Sequence, residues 1–488
     1  MRRRRARVAA LALAAATVGP ACRQVIAPPD LGELYDRVAQ VHPPTRNPVV
    51  VIPGILGSAL EQEGTGRVVW GAFSGDYAHP GRAEGARSIA LPMRVGAPLE
   101  ELRDDVVQAG ALESLELRLF GLPVGISAYV NILLALGVGG YRDRDLALGG
   151  GVDYGDQHFT CFQFAYDWRR CVSESAAELG RFLEEQAEYV SAEVRRRDGI
   201  VLDDVRFDVV AHSMGGLVLR YYLRYGTQPL PADGSLPELT WAGARRVDRA
   251  VLIGTPNAGA AGAYLELLEG SKLGPFVPRY SPAILGTFPA VYGLLPRARH
   301  GFWTTDDEDA SWLADPFDPE LWESQGWGLA DPSQARVLRW LLPDAASDED
   351  RRRIALDHQA KCLRRARQLH AALDRPAAPP AGCELMLVVG DAIDTPAQVQ
   401  VRRGEDHCRV VAHAGGDEVV LRSSVLADQR LGSDWGPTVE SPIRWARALF
   451  LFEDHLGLTK SPVFLDNLLF YLLEEPRGDE FAAASPDD

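Results

Sequence analysis

The sequence predicts an α/β fold, a mostly parallel sheet covered by helices on both faces. Three observations predict it. Short apolar, β-branched runs recur along the chain, as in Pro48-Val49-Val50-Val51-Ile52. Helical patterns separate several of them, notably from Ser175 to Arg197. One run, Val205 to Val210, enters a tight turn that opens directly into a helix-like segment, Leu217 to Leu223. Strands alternating with helices give a parallel sheet, and continuous apolar runs give strands buried on both sides.

The strands are expected in order. The first ends at Pro53-Gly54, and the second spans Cys161 to Ala165. The third ends at Val210. The fourth runs from Arg249 to Ile253 and stops at Gly254-Thr255-Pro256. The fifth runs from Glu384 to Val389 and stops at Gly390-Asp391. Insertions at about 75–150 and 260–380 interrupt the rhythm within a domain expected over 47–475. The second holds Trp303, Trp312, Trp322, Trp327 and Trp340, read first as the core of a helical subdomain and second as a lid offering aromatics to lipid.

The turn after the third strand carries the chemistry. Ala211-His212-Ser213-Met214-Gly215-Gly216 places a serine between small residues, between strand and helix, as in a nucleophile elbow. The alternative is a serine that merely caps the helix. A serine hydroxyl needs a base to take its proton, normally a histidine oriented by a carboxylate. In α/β-hydrolases these follow in the order Ser, Asp or Glu, His. His212 is expected to point away from its neighbour. His300, His358 and His370 fall in the second insertion, too early in that order. His455, before an amphipathic segment from Ser461 to Leu473, is the expected base. Asp417, in a glycine-rich turn, and Asp394, just after the fifth strand, are both candidate acids; topology slightly favours Asp394. His407 and His413 precede Asp417 and fit poorly as its base. The oxyanion hole needs two backbone N–H groups, expected from Met214 and from Ile55 in Gly54-Ile55-Leu56-Gly57-Ser58.

Taken together, these segments resemble the lecithin:cholesterol acyltransferase family. Val51 to Leu60 is similar to its first-strand and oxyanion motif, and Tyr166-Asp167-Trp168-Arg169 to its Tyr-Asp-Trp-Arg motif. Phe288 to Pro296 resembles a cap motif, and His455 followed by Ser461-Pro462 its histidine segment. Gly416-Asp417-Glu418-Val419-Val420 stands where the family has Gly-Asp-Gly-Thr-Val. The resemblance implies an α/β-hydrolase fold with Ser213 as nucleophile, Asp417 rather than Asp394 as acid, and His455 as base. It implies a lipid ester substrate such as a phospholipid, an alcohol or water as acceptor, contact with a membrane surface, and no cofactor. A plain lipase or phospholipase, or a non-catalytic envelope lipoprotein, are the alternatives. Glu418 and Val419 depart from the pattern; the added carboxylate either perturbs the acid or faces solvent. Asp167 and Arg169 are expected to be a structural ion pair.

The ends and the charge complete the picture. Arg2 to Arg5, the apolar run Val8 to Val18 and Gly19-Pro20-Ala21 read as an export signal over 1–22. Cys22 after Ala21 suggests a lipid-anchored variant of it. The expected location is a bacterial cell envelope or the exterior. Residues 23–46 read as a tether and 476–488 as an acidic tail. With 51 basic and 67 acidic residues the net charge is -16, which disfavours nucleic acid as a partner. None of the six cysteines has zinc-finger spacing, and no metal is expected.

Overall fold

The β-branched runs become the centre of the molecule because each is buried on both faces. A computed structural model describes residues 27–71, 77–111, 116–119, 122–125, 127–146, 158–272, 278–297, 300–405, 408–430 and 436–477. The segment expected to be an export signal, Cys22, His407 and most of the acidic tail lie outside these residues.

Among the described residues the main sheet has six strands. They are β1 (Val49–Ile52), β2 (Cys161–Gln163), β3 (Phe207–His212), β4 (Val247–Ile253), β5 (Glu384–Gly390) and β6 (Arg447–Leu451). Their order is β6-β5-β4-β3-β1-β2, and every pairing is parallel. Alternate residues face opposite cores. Val50 and Ile52 join the larger cluster, with Val209 and Ala211. Val49 and Val51 join the smaller, with Val210 and Val251. This two-sided burial is what continuous rather than alternating apolar runs encode.

The helices cover both faces. α1 is Leu31–Ala39, α2 Ser127–Val138, α3 Val172–Asp198, α4 Met214–Tyr225, α5 Asp348–Leu373 and α6 Pro462–Leu469. α3 stops at Gly199, whose φ of 70° supplies a left-handed cap. α5 starts behind Ser347, whose side chain accepts from Asp350 N–H, with three acidic residues in its first turn. All of α4 is buried, between the sheet and the second insertion. Within the stretch read as a tether, α1 is capped by Asp30 and anchored by Tyr35, whose hydroxyl donates to Asp466 Oδ1 at 2.8 Å. The folded part therefore begins ahead of residue 47.

Both insertions pack onto this frame. Val106–Ala111 of the first pairs antiparallel with Ser58–Gln62, which also pairs with Val68–Trp70, in a small sheet that starts ahead of the insertion. Arg169, wholly buried, ties it down: its guanidinium meets Asp104 and Asp167, each at 2.8 Å, and Ile89 O at 3.0 Å. The expected Asp167–Arg169 pair is thus a three-way network across the insertion. In the second, Trp303, Trp322 and Trp327 ring Tyr264 edge-on at 5.5–6.0 Å. Trp322 and Trp327 are fully buried, which favours the core reading over the lipid-facing one. An antiparallel hairpin, Ile393–Gln400 with Arg409–Gly416, follows β5. No strand is expected there from the sequence: Pro396 interrupts the pattern and sits where the register slips. The described cysteines, Cys161, Cys171, Cys362, Cys383 and Cys408, are all free.

Candidate active site

Ser213 sits between β3 and α4 with φ 53° and ψ -126°. A side chain at positive φ is strained, and the surroundings must hold it. Ser213 N–H donates to Ile253 O at 2.8 Å, and Gly216 N–H to Ser213 O at 3.0 Å. A Cβ on Gly215 would overlap Pro53 O, and one on Gly216 would overlap the Thr255 side chain. A Cβ on Gly54 would stand 2.8 Å from Ser213 Cβ. Bare backbone on three sides lets the elbow close. The serine side chain makes no cap bond to α4, so the capping alternative falls away.

His455 and Asp417 meet beside this turn. His455 Nδ1 lies 2.7 Å from Asp417 Oδ2, with both residues buried. The other oxygen, Oδ1, accepts from Val419 N–H at 3.1 Å and Val420 N–H at 2.7 Å. His455 N–H donates to Asp417 O at 2.9 Å. The acid therefore has its lone pairs filled on one side and the imidazole on the other. Glu418 is exposed and points its charge to solvent, with its N–H on Thr395 Oγ1 at 2.9 Å. Its φ is 80°, the backbone that explains a glycine in the family pattern. Asp394, the rival acid, is exposed in the hairpin.

β4 brings the two halves together. Its last carbonyl, Ile253 O, holds Ser213 N–H. The next residue, Gly254 at φ 53°, abuts the pair: a Cβ there would lie 3.1 Å from both Asp417 Oδ2 and His455 Nδ1. Among the bonds of the described residues none joins Ser213 Oγ to His455. Such contacts are often long until substrate binds.

The 53–58 loop is clamped by aromatic donors. Tyr166 hydroxyl donates to Pro53 O at 3.0 Å, Trp168 Nε1 to Ser58 O at 3.1 Å, and Trp70 Nε1 to Leu56 O at 2.9 Å. Tyr166 N–H also reaches Ser58 Oγ at 3.1 Å. Among the described residues, Ile55 N–H donates no hydrogen bond outside helices and strands. Met214 opens α4, where an N–H has no partner within the helix.

The remaining histidines divide by location. His358 Nε2 donates to Thr287 O and His370 Nε2 contacts Gly293 O, both deep in the second insertion. His413 is exposed on the hairpin. His212 departs from expectation. It does not turn away from the site; its ring lies 4.7 Å from that of His455, and its Nε2 is 3.1 Å from His455 O. Burial holds its pKa well below the ordinary histidine value. Tyr129, Gly254 and Thr395, which shape the site, carried no sequence signal beyond ordinary residue types.

Residues 154–319 match the family model Lecithin:cholesterol acyltransferase. Over that segment the chain resembles the lecithin:cholesterol acyltransferase family. The matched segment holds the Tyr166–Arg169 motif, the elbow and the start of the second insertion, and ends before Asp417 and His455. No curated protein matches significantly. A chain of the solved Tle4–Tli4 complex superposes with a TM-score of 0.52 at 16% identity, over 88% of this chain and 98% of that one. At this identity the likeness shows the fold alone. Lipase 1 from Pelosinus fermentans is 12% identical over 88% of this chain and 100% of its own, with a TM-score of 0.32, too low to argue from. The fold of this chain is that of an α/β-hydrolase.

Proposed function

We propose that the chain is a serine acyltransferase or acyl hydrolase acting on lipid esters through an acyl-enzyme on Ser213. The observation that carries this reading is the buried His455–Asp417 pair at 2.7 Å beside a serine at φ 53°. The family resemblance over 154–319 supports a lipid ester, such as a phospholipid, as the donor.

In this reading Ser213 Oγ attacks the ester carbonyl while His455 Nε2 takes its proton. Asp417 stabilises the imidazolium through Nδ1. The tetrahedral oxygen, now negative, is met by the N–H groups of Ile55 and Met214. Collapse breaks the ester C–O bond, and the departing alcohol takes the proton from His455 Nε2. An alcohol or water then gives its proton to His455 and attacks the acyl carbonyl, and Ser213 leaves with that proton. Every step uses residues of this chain alone.

The segment over 1–22, read as an export signal with or without a lipid on Cys22, supports a location at a bacterial cell envelope or outside the cell, against a membrane surface. Mass spectrometry of the mature N-terminus tests that placement: a chain still starting at Met1 contradicts it.

The activity is tested by a fluorophosphonate probe and by product analysis. The wild type should label at Ser213, and Ser213→Ala should not. Equal labelling of the two would sink the proposal. With phospholipid vesicles holding a long-chain alcohol, a new ester identifies a transferase and free fatty acid alone a hydrolase. Labelling without either product removes the lipid ester from the reading.

A further inference from the structure

A hydrogen-bond chain runs behind the candidate nucleophile and joins its two flanking loops. Tyr129 Oη lies 2.8 Å from Gly54 N and 3.0 Å from His212 Nδ1. His212 Nε2 lies 3.1 Å from His455 O. All of these groups are buried.

The direction of the chain follows from its ends. Gly54 N–H can only donate, so Tyr129 Oη accepts there. The single phenol proton then points to His212 Nδ1, which must be bare. His455 O can only accept, so His212 Nε2 carries the hydrogen. Burial agrees with each assignment, pushing the Tyr129 hydroxyl up and His212 down, so that both stay neutral.

We propose that Tyr129 and His212 are positioning residues that couple the oxyanion loop to the base. This rests on the reading of Ser213 and His455 given above. At one end, the peptide joining Pro53 and Gly54 is held through its N–H by Tyr129 and through its carbonyl by Tyr166. The next peptide carries Ile55 N–H, so its aim is inherited from this clamp. At the other end, His455 has its carbonyl on His212 and its N–H on Asp417 O. With backbone held on both sides and Nδ1 on Asp417, the imidazole has one orientation left. A fixed neutral tautomer at His212 makes the coupling permanent: a switch to Nδ1–H would leave Nε2 without a hydrogen for His455 O and strand the Tyr129 phenol proton.

This arrangement is more than a satisfied core pair. It spans α2, the loop after β1, the elbow and the loop after β6, four segments drawn from the whole chain. Each end terminates on a residue adjoining the groups that would meet the reacting carbonyl.

The test uses the full chain, with p-nitrophenyl butyrate as substrate and a fluorophosphonate as probe. Rates are expressed per labelled serine, because a merely structural defect lowers the number of labelled sites and not the rate at each. Tyr129→Phe keeps the ring and removes only the hydroxyl. Its kcat and labelling rate should fall on the order of 10- to 100-fold, with KM within about twofold. His212→Gln can still accept and donate along the same line, and should keep activity within about tenfold of wild type, whereas His212→Leu should match Tyr129→Phe. Wild-type rates per site in Tyr129→Phe overturn the relay while leaving the Ser213 reading intact. Absence of labelling in the wild type overturns that reading and the relay with it. A measurement independent of any variant is the 15N spectrum of the wild-type histidines. The relay requires His212 to be neutral and protonated at Nε2 at neutral pH; the Nδ1–H tautomer overturns it.

Discussion

Gly254 has no side chain, yet it governs how Asp417 and His455 can sit. At φ 53° it takes a backbone that alanine adopts at a cost of about 1–3 kcal/mol. Its missing Cβ leaves room for Asp417 Oδ2 and His455 Nδ1, each 3.1 Å from where that atom would be. Gly254→Ala should lower stability by about 1–3 kcal/mol and kcat by about tenfold or more, since the imidazole must shift. Urea unfolding and turnover measured on the same preparation check both. Unchanged turnover would show that the pair does not depend on this gap. Read along the chain, Gly254 is only the residue that stops a strand. Ser213 was legible, because the small residues around it serve the local turn. Asp417 was only half legible: its glycines gave a turn, but the choice over Asp394 came from family resemblance. In three dimensions burial separates the two, with Asp394 exposed and Asp417 enclosed.

The loop after β1 works as an element, since its hydrogen-bond donors come from elsewhere. Tyr166 and Trp168 follow β2, and Trp70 lies in the small antiparallel sheet. The Tyr166–Arg169 segment therefore does two things. Its aromatic members clamp the loop, and Arg169 anchors the first insertion through Asp104. Tyr166→Phe removes one donor and leaves the buried Pro53 carbonyl without it. The expected loss is about 1–3 kcal/mol of stability and about tenfold in kcat, with KM little changed. Thermal unfolding and steady-state kinetics on a soluble ester check it; a loss in KM alone would mean that the loop binds substrate rather than the oxyanion. The motif was visible in the sequence as a structural ion pair. Its reach to Pro53 and Ser58 was not, because more than a hundred residues separate donor from acceptor.

At the scale of the whole molecule, burial favours the neutral form of two histidines, His212 and His358. Burial lowers His358 to about 4 and takes His212 well below its usual value. In the unfolded chain both titrate near about 6.5. Below that pH the unfolded state binds more protons, so stability falls as pH drops from about 6.5 toward 4 and is fully present above it. Each histidine contributes a slope of up to about 1.4 kcal/mol per pH unit in that window. Urea midpoints at several pH values should show this decline. His358→Gln, which keeps a donor for Thr287 O, should be shallower by one histidine's share. An identical slope in the variant would show that His358 does not remain neutral in the folded state.

The sequence by itself determined the fold class, five strands of the parallel sheet and the elbow at Ser213. Those features depend on short-range patterns: β-branched runs buried on both faces and small residues in a tight turn. Order along the chain also marked His455. The choice of Asp417 over Asp394 came from resemblance, and the tertiary structure alone decided which aromatics hold the Pro53–Ser58 loop and that His212 faces the site. These depend on contacts between segments distant in sequence, made where the ends of parallel strands converge.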